Sequence, residues 1–341
     1  MKKIAMNLLR AVISFGLLAY LITMADLDKI AGVLAQADFS YIGLALVIFL
    51  GGVFVLTLRC QVLLKCVGIE PGYRRLLMYY FIGYFLNNFL PTSIGGDVSR
   101  AFNVARHSER RSPGIASILL ERVLGLLATM TLASLSVIWA SAYFRTALVL
   151  FVVFTTLFFI AAVLVNIFSE TLFRLTSRMM AGITLLGIGE KINKLNTAIH
   201  AYRHEPSAVL LGYLLSLAAQ LLLVVMNYCL AISLNIEQIT FSYLLLVIPV
   251  SFVISLAPSI NGLGVRDFGY KSLLTQIGVS SAQALSLSFL NTLVPMALST
   301  IGGVLLLFYR RYVPPAEAVE KIELIGGGEG KGEGLRIKDE G

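Results

Sequence analysis

An all-α polytopic membrane protein is the fold class that three observations predict. Hydrophobic residues make up 57% of the 341 and charged residues only 13%, with a mean hydropathy of +0.85, whereas a soluble globule carries about 25% charge. Apolar stretches long enough to cross a bilayer, such as Tyr41–Leu58, recur through most of the chain. Two further apolar segments, of about fifteen residues, run into a proline followed by glycine, acid and arginine: Leu90-Pro91-Thr92-Ser93-Ile94-Gly95-Gly96-Asp97-Val98-Ser99-Arg100, and Ala257-Pro258-Ser259-Ile260-Asn261-Gly262-Leu263-Gly264-Val265-Arg266-Asp267. Paired Pro/Gly-broken segments carrying charge are the sequence form of a transporter-type site.

The elements follow in order. Full spans are expected at Ala11–Ala25, Tyr41–Leu58, Pro113–Ala140, Thr146–Phe168, Ser207–Ser233 and Ala282–Phe308. Leu76–Leu90, Phe241–Ala257 and Phe268–Val279 are shorter or end at the breaks, so six full transmembrane helices plus two re-entrant hairpins, or up to eight spans, are open. The positive-inside rule arbitrates. Lys2, Lys3 and Arg10, then Arg59, Lys65, Arg74 and Arg75, then Arg100, Arg106, Arg110 and Arg111 all want the cytoplasmic side. A full crossing by Leu76–Leu90 would separate the second group from the third, so this segment is expected to enter and return at Pro91–Gly96. The same parity makes Phe241–Val279 a hairpin from the opposite face, turning near Pro258–Gly264. Two halves result, about 1–140 and 146–312, of opposite orientation: an inverted-topology repeat. Eight complete crossings without symmetry is the alternative.

The remaining segments are simpler. Arg174, Arg178, Lys191, Lys194 and Arg203 alternate with Leu175, Met179, Ile183, Leu195 and Ile199 at helical spacing, so about 170–203 reads as amphipathic helix on the inner leaflet or as a cytoplasmic hairpin. The first apolar run reads as a retained signal-anchor. One integral membrane domain, 1–312, is expected, followed by a disordered cytoplasmic tail, 313–341, in which glycine and charge replace any apolar period. That tail holds seven acids and four bases, a balance of −3, so with a net charge of +8 the embedded part and its loops carry +11, which favours anionic lipid head groups. Both termini are placed in the cytoplasm and the protein in the cell membrane.

Catalytic signatures are missing from the sequence: there is no phosphate-binding lysine loop, nucleophile elbow or zinc-protease helix. Cys60, Cys66 and Cys229 have no paired spacing and read as small apolar side chains. His200 and His204 stand four apart but lack a third ligand. No enzyme activity, cofactor, metal or nucleic-acid partner is expected.

The charges inside apolar segments are therefore the main chemical signal. Glu121 and Arg122 lie eight or nine residues into their span, where an unpaired charge costs several kcal/mol. Adjacent helical residues point about 100° apart, so their partners must lie elsewhere. Asp97, Arg100, Arg266 and Asp267 are the available complements, giving one expected cluster of three acids and three arginines. In it, Arg100, Arg122 and Arg266 would hold a lipid phosphate together with backbone N–H groups at Gly95, Gly96, Gly262 and Gly264. Asp97, Glu121 or Asp267 would couple to a proton or to neighbouring charge, and Pro91 and Pro258 would break the helices. A buried ion-pair lock pinning the hairpins is the plainer reading of the same residues.

Asn87-x-x-Leu90-Pro91 through Gly95-Gly96-Asp97-x-x-Arg100, then Glu121-Arg122 with Leu124-Gly125-Leu126, then Pro258-Ser259-x-x-Gly262-Leu263-Gly264-Val265-Arg266, resembles the flippase-like family typified by the transmembrane region of lysylphosphatidylglycerol synthase. The resemblance covers about residues 5–312. The family's last motif usually reads Gly-Gly-Leu-Gly-x-Arg-Glu; here Asn261 replaces the first glycine and Asp267 the glutamate. The resemblance implies a domain that moves a phospholipid or isoprenoid-linked lipid between leaflets, and it does not imply an aminoacyltransferase, which resides in a separate soluble domain. Membrane lipids, anionic or phosphate-containing, are the expected partners, with room for a homo-oligomer or an envelope enzyme. A membrane-embedded transferase or hydrolase on a polyprenyl-phosphate lipid, with Asp97 or Glu121 as base, and a non-transporting envelope-biogenesis partner are the alternatives.

Overall fold

The structure, a computed structural model, describes residues 27–89, 95–105, 111–139, 154–162, 165, 169–170, 173–174, 200, 202–255 and 264–308. The expected first span, most of the fourth, most of the amphipathic segment and the tail lie outside those residues, as do Pro91, Pro258 and Gly262. The described helices are α1 (Leu27–Ala35), α2 (Phe39–Cys66), α3 (Tyr73–Phe89), α4 (Gly95–Ala105), α5 (Arg111–Trp139), α6 (Pro206–Ser233), α7 (Phe241–Ser255), α8 (Val265–Leu274) and α9 (Ser281–Phe308). Among the described residues there is no strand, and the protein is an all-α membrane protein.

Among the described residues, four helices are long and apolar enough to cross a bilayer: α2, α6 and α9 entire, and Gly114–Ser136 of α5. A 28-residue helix measures ~42 Å at 1.5 Å per residue, enough for a tilted crossing of a ~30 Å core. Their outward faces are apolar and open, with Phe39, Val47, Leu210, Leu214, Phe289 and Val304 all exposed, as lipid-facing surfaces are. α3 and α7, of 17 and 15 residues, reach only ~25 and ~22 Å. Asp38 starts α2 by accepting a hydrogen bond from the Ser40 N–H at 2.8 Å, which satisfies one of the helix's unpaired donors.

Both short helices are followed by a partner that runs back along them. Gly96 lies against Gly83 and Asn87, Arg100 against Gly83 and Tyr80, and Val104 packs in one cluster with Leu76. Residue numbers rise along α4 as they fall along α3, so the two are antiparallel and α4 ends level with the start of α3. α8 repeats this on α7. Gly269 meets Ser251 and Ile254, and the Tyr243 hydroxyl donates to the Leu273 carbonyl at 2.8 Å.

The two halves interlock. α2 and α6 are antiparallel along their length: the Asp38 N–H donates to the Ser233 carbonyl at 2.8 Å at one end, and the Tyr202 hydroxyl to the Leu63 carbonyl at 3.1 Å at the other. α3 packs on α9, the last helix of the other half, and α7 on α5, while α4 packs on α5 and α8 on α9. Exchanging the halves leaves this pattern of neighbours unchanged. Two glycines permit the closest approaches. A Cβ on Gly302 of α9 would strike the Phe81 backbone of α3, and one on Gly96 would strike the Gly83 carbonyl across the hairpin; small residues let membrane helices pack backbone to backbone.

Two expected outcomes follow from this packing. Gly96→Ala should destabilise the protein by about 1–3 kcal/mol, the range for overpacking, read as a lower unfolding midpoint in mixed micelles; an unchanged midpoint would contradict the contact. Glu70 and Glu237 lie exposed in the equivalent turns after α2 and α6. Single cysteines there should label from opposite sides of the membrane, Glu70→Cys from the cytoplasm, and labelling from one side would refute opposed halves.

Candidate functional site

Glu121 is the centre of the site. α5 turns its side chain inward, 1% exposed, while the adjacent Arg122 side chain stays 43% exposed. Three donors from three other helix positions converge on the single oxygen Oε2: Arg100 Nη2 at 2.8 Å from α4, the Tyr80 hydroxyl at 2.8 Å from α3, and Arg59 Nη2 at 3.2 Å from α2. The Tyr80 hydroxyl also lies 2.9 Å from the Leu56 carbonyl, so one proton is shared between two acceptors. Its ring lies under the Arg100 guanidinium, 4.0 Å from centroid to Cζ, a cation–π contact. Arg59 Nη1 reaches across the halves to Ser216 Oγ of α6 at 3.0 Å. Glu121 thereby ties α2, α3, α4 and, through Arg59, α6.

Beside this buried knot lies a more open pair. Asp97, the third residue of α4, ion-pairs with Arg122 and stands 3.6 Å from Arg100 Nη2. Among the described residues, three guanidiniums, of Arg59, Arg100 and Arg122, meet two carboxylates, of Asp97 and Glu121, one positive charge more than negative. Glu121 Oε1 and the Nε atoms of Arg59 and Arg100 have no hydrogen-bond partner among the described residues.

The expectation that Glu121 and Arg122 find separate partners matches this geometry, but the single six-membered cluster does not. Arg266 donates to Thr292 Oγ1 of α9, and Asp267 accepts from Ser288 Oγ at 2.5 Å and from the Gly264 N–H at 2.9 Å. The second hairpin meets α9 through these bonds, whereas the first meets α5. The glycine N–H groups are also differently used. The Gly96 N–H donates to Asn87 Oδ1 at 2.6 Å, and Gly264, at φ +77°, gives its N–H to Asp267, so neither is left for an anion. Gly95 opens α4.

Arg59 and Tyr80 are the members that the sequence did not single out. Arg59 follows the apolar run Tyr41–Leu58 and counts there among cytoplasmic loop charges; α2 instead continues through Cys60, Leu63 and Leu64 to Cys66 and buries Arg59 to 7% exposure. The apolar Leu63-Leu64 one turn on was the available signal.

Long apolar helices, two antiparallel hairpins and a buried arginine–carboxylate knot define a multi-pass membrane protein whose polar core is built from charged residues deep in its helices. Residues 7–303 match the family described as the lysylphosphatidylglycerol synthase TM region, and the chain belongs to that family. It is similar to a UPF0104 membrane protein of Pyrococcus horikoshii, 22% identical over 326 residues that cover 88% of this chain and 96% of the relative. A UPF0104 membrane protein of Methanothermobacter thermautotrophicus is 24% identical over 74% of this chain and 78% of its own length. One of Methanocaldococcus jannaschii is 26% identical over 36% and 37%. No solved structure matches the chain.

Proposed function

We propose that this protein is a lipid flippase-like transporter in the cell membrane, with both termini cytoplasmic, that moves a phosphate-bearing lipid between leaflets without altering it chemically. The observation that carries the reading is Arg122. It stands eight residues into the apolar Gly114–Ser136 segment, ~12 Å along the axis, with a side chain 43% exposed. A guanidinium at that depth requires water or an anion beside it. The surplus positive charge of the cluster supplies the attraction, and a lipid phosphate can take two parallel N–H bonds from the exposed guanidinium while its acyl chains remain in the bilayer. Asp97 acts as the displaceable internal stand-in for that phosphate. Glu121 keeps Arg59 and Arg100 in place behind it.

The test is leaflet exchange in liposomes containing the purified chain and head-group-labelled phosphatidylglycerol, read by quenching from outside. Exchange faster than in protein-free liposomes, with the labelled lipid recovered intact, is the expected result. No acceleration overturns transport of that lipid, and a chemically changed lipid in the extract overturns transport in favour of catalysis.

A further inference from the structure

The two halves carry polar triads at matching places. Arg59, Arg100 and Glu121 sit on α2, α4 and α5; Asn227, Tyr270 and Asn291 sit on α6, α8 and α9, at 168, 170 and 170 residues further along. Arg100 and Tyr270 are each the sixth residue of their helix, and Glu121 and Asn291 each the eleventh. Asp97 and Asp267, each third, confirm the register. The breaks therefore match acid to acid, and not proline to proline, because Pro91 stands six residues before Asp97 and Pro258 nine before Asp267.

The second triad is also joined by hydrogen bonds, with neutral groups and with Asn227, the counterpart of Arg59, as its hub. The Tyr270 hydroxyl donates to Asn227 Oδ1 at 2.9 Å, and Asn227 Nδ2 donates to Asn291 Oδ1 at 3.1 Å. Tyr270 is 1% exposed and Asn227 fully buried. Separating α4 from its node would strand the Arg100 guanidinium and take one of two cationic partners from the buried Glu121, whereas separating α8 leaves an amide and a phenol to hydrate at its node. The charged contacts of α8 with α9, Asp267 with Ser288 and Arg266 with Thr292, are hydrogen bonds to hydroxyls and not ion pairs. Removing a partner from a buried ion pair costs far more than losing a neutral hydrogen bond. Pro249 within α7 and Pro295 within α9 remove backbone bonds on both elements that α8 packs against.

We propose that Asn227, Tyr270 and Asn291 are positioning residues that form a releasable anchor for the second hairpin, so that α8 is the moving element and α4 the fixed one. That this movement limits lipid exchange rests on the function proposed above; the anchor itself does not.

Hydrogen exchange on the full chain in lipid nanodiscs tests the anchor. In the unaltered protein, α8 amides should exchange faster than those of α4. Tyr270→Phe should speed α8 exchange by about threefold to tenfold, the net worth of one hydrogen bond, and leave α4 unchanged. Equal or slower exchange in α8 than in α4 in the unaltered protein overturns the proposal, as does an equal effect of Tyr270→Phe on both helices. In liposomes the same variant should speed leaflet exchange, with calorimetric binding of dihexanoyl phosphatidylglycerol unchanged. Slower leaflet exchange with faster α8 amide exchange would refute gating and keep the anchor. Absence of any leaflet exchange in the unaltered protein removes the transport reading alone, since amide exchange still decides the anchor.

Discussion

Glu121→Gln should be among the most destabilising single substitutions in this protein, costing about 3–5 kcal/mol, the range for removing one partner from a buried ion pair. Glutamine keeps the shape and one acceptor oxygen but not the charge. Arg59 and Arg100, 7% and 8% exposed, would then face each other with only Asp97, 3.6 Å from Arg100, to offset them. The loss would fall on several elements at once, because α2, α3 and α4 all meet at Oε2. Chemical denaturation in mixed micelles measures it, and the double variant Glu121→Gln with Arg59→Met should recover part of the loss by removing one stranded charge. A double variant less stable than Glu121→Gln alone would show that charge balance is not what the knot provides.

Arg122→Ala should act in the opposite sense, sparing the fold and removing transport. Its side chain is the exposed member of the cluster, and Asp97 keeps Arg100 nearby when it is gone. The unfolding midpoint should therefore move little, whereas binding of a short-chain phosphatidylglycerol should weaken by about tenfold or more, as expected for losing one charge-assisted contact. Leaflet exchange in liposomes should fall with it. Unimpaired exchange would sink the assignment of Arg122 to the phosphate. Arg100→Ala cannot serve this purpose, since it breaks the Glu121 knot and confounds binding with stability.

Much of the architecture was legible because the bilayer imposes length and composition. Tyr41–Leu58, Ser207–Ser233 and Ala282–Phe308 anticipate α2, α6 and α9 to within a few residues at most boundaries, and the described helices that flank each Pro/Gly break run back along one another. The main boundary error, at the end of α2, came from stopping the helix at its first charge. Arginine was counted as a loop residue there because a charge ends an apolar run, yet a buried carboxylate 62 residues away lets the helix pass through it.

Membership of the site was legible only in part. Glu121, Arg122, Asp97 and Arg100 stood out because a charge in an apolar segment must be compensated, which is a statement about solvent and needs no coordinates. That solvent requirement also determined the class of protein, the spans and the existence of a polar core. It could not determine who pairs with whom. Pairing depends on which helices touch, and only the tertiary packing places α4 against α5 and α8 against α9, so Arg266 and Asp267 leave the cluster while Arg59 and Tyr80 join it. The two Pro/Gly breaks likewise matched by their prolines in the sequence, but the three-dimensional register aligns Asp97 with Asp267 because it is set by where each returning helix begins.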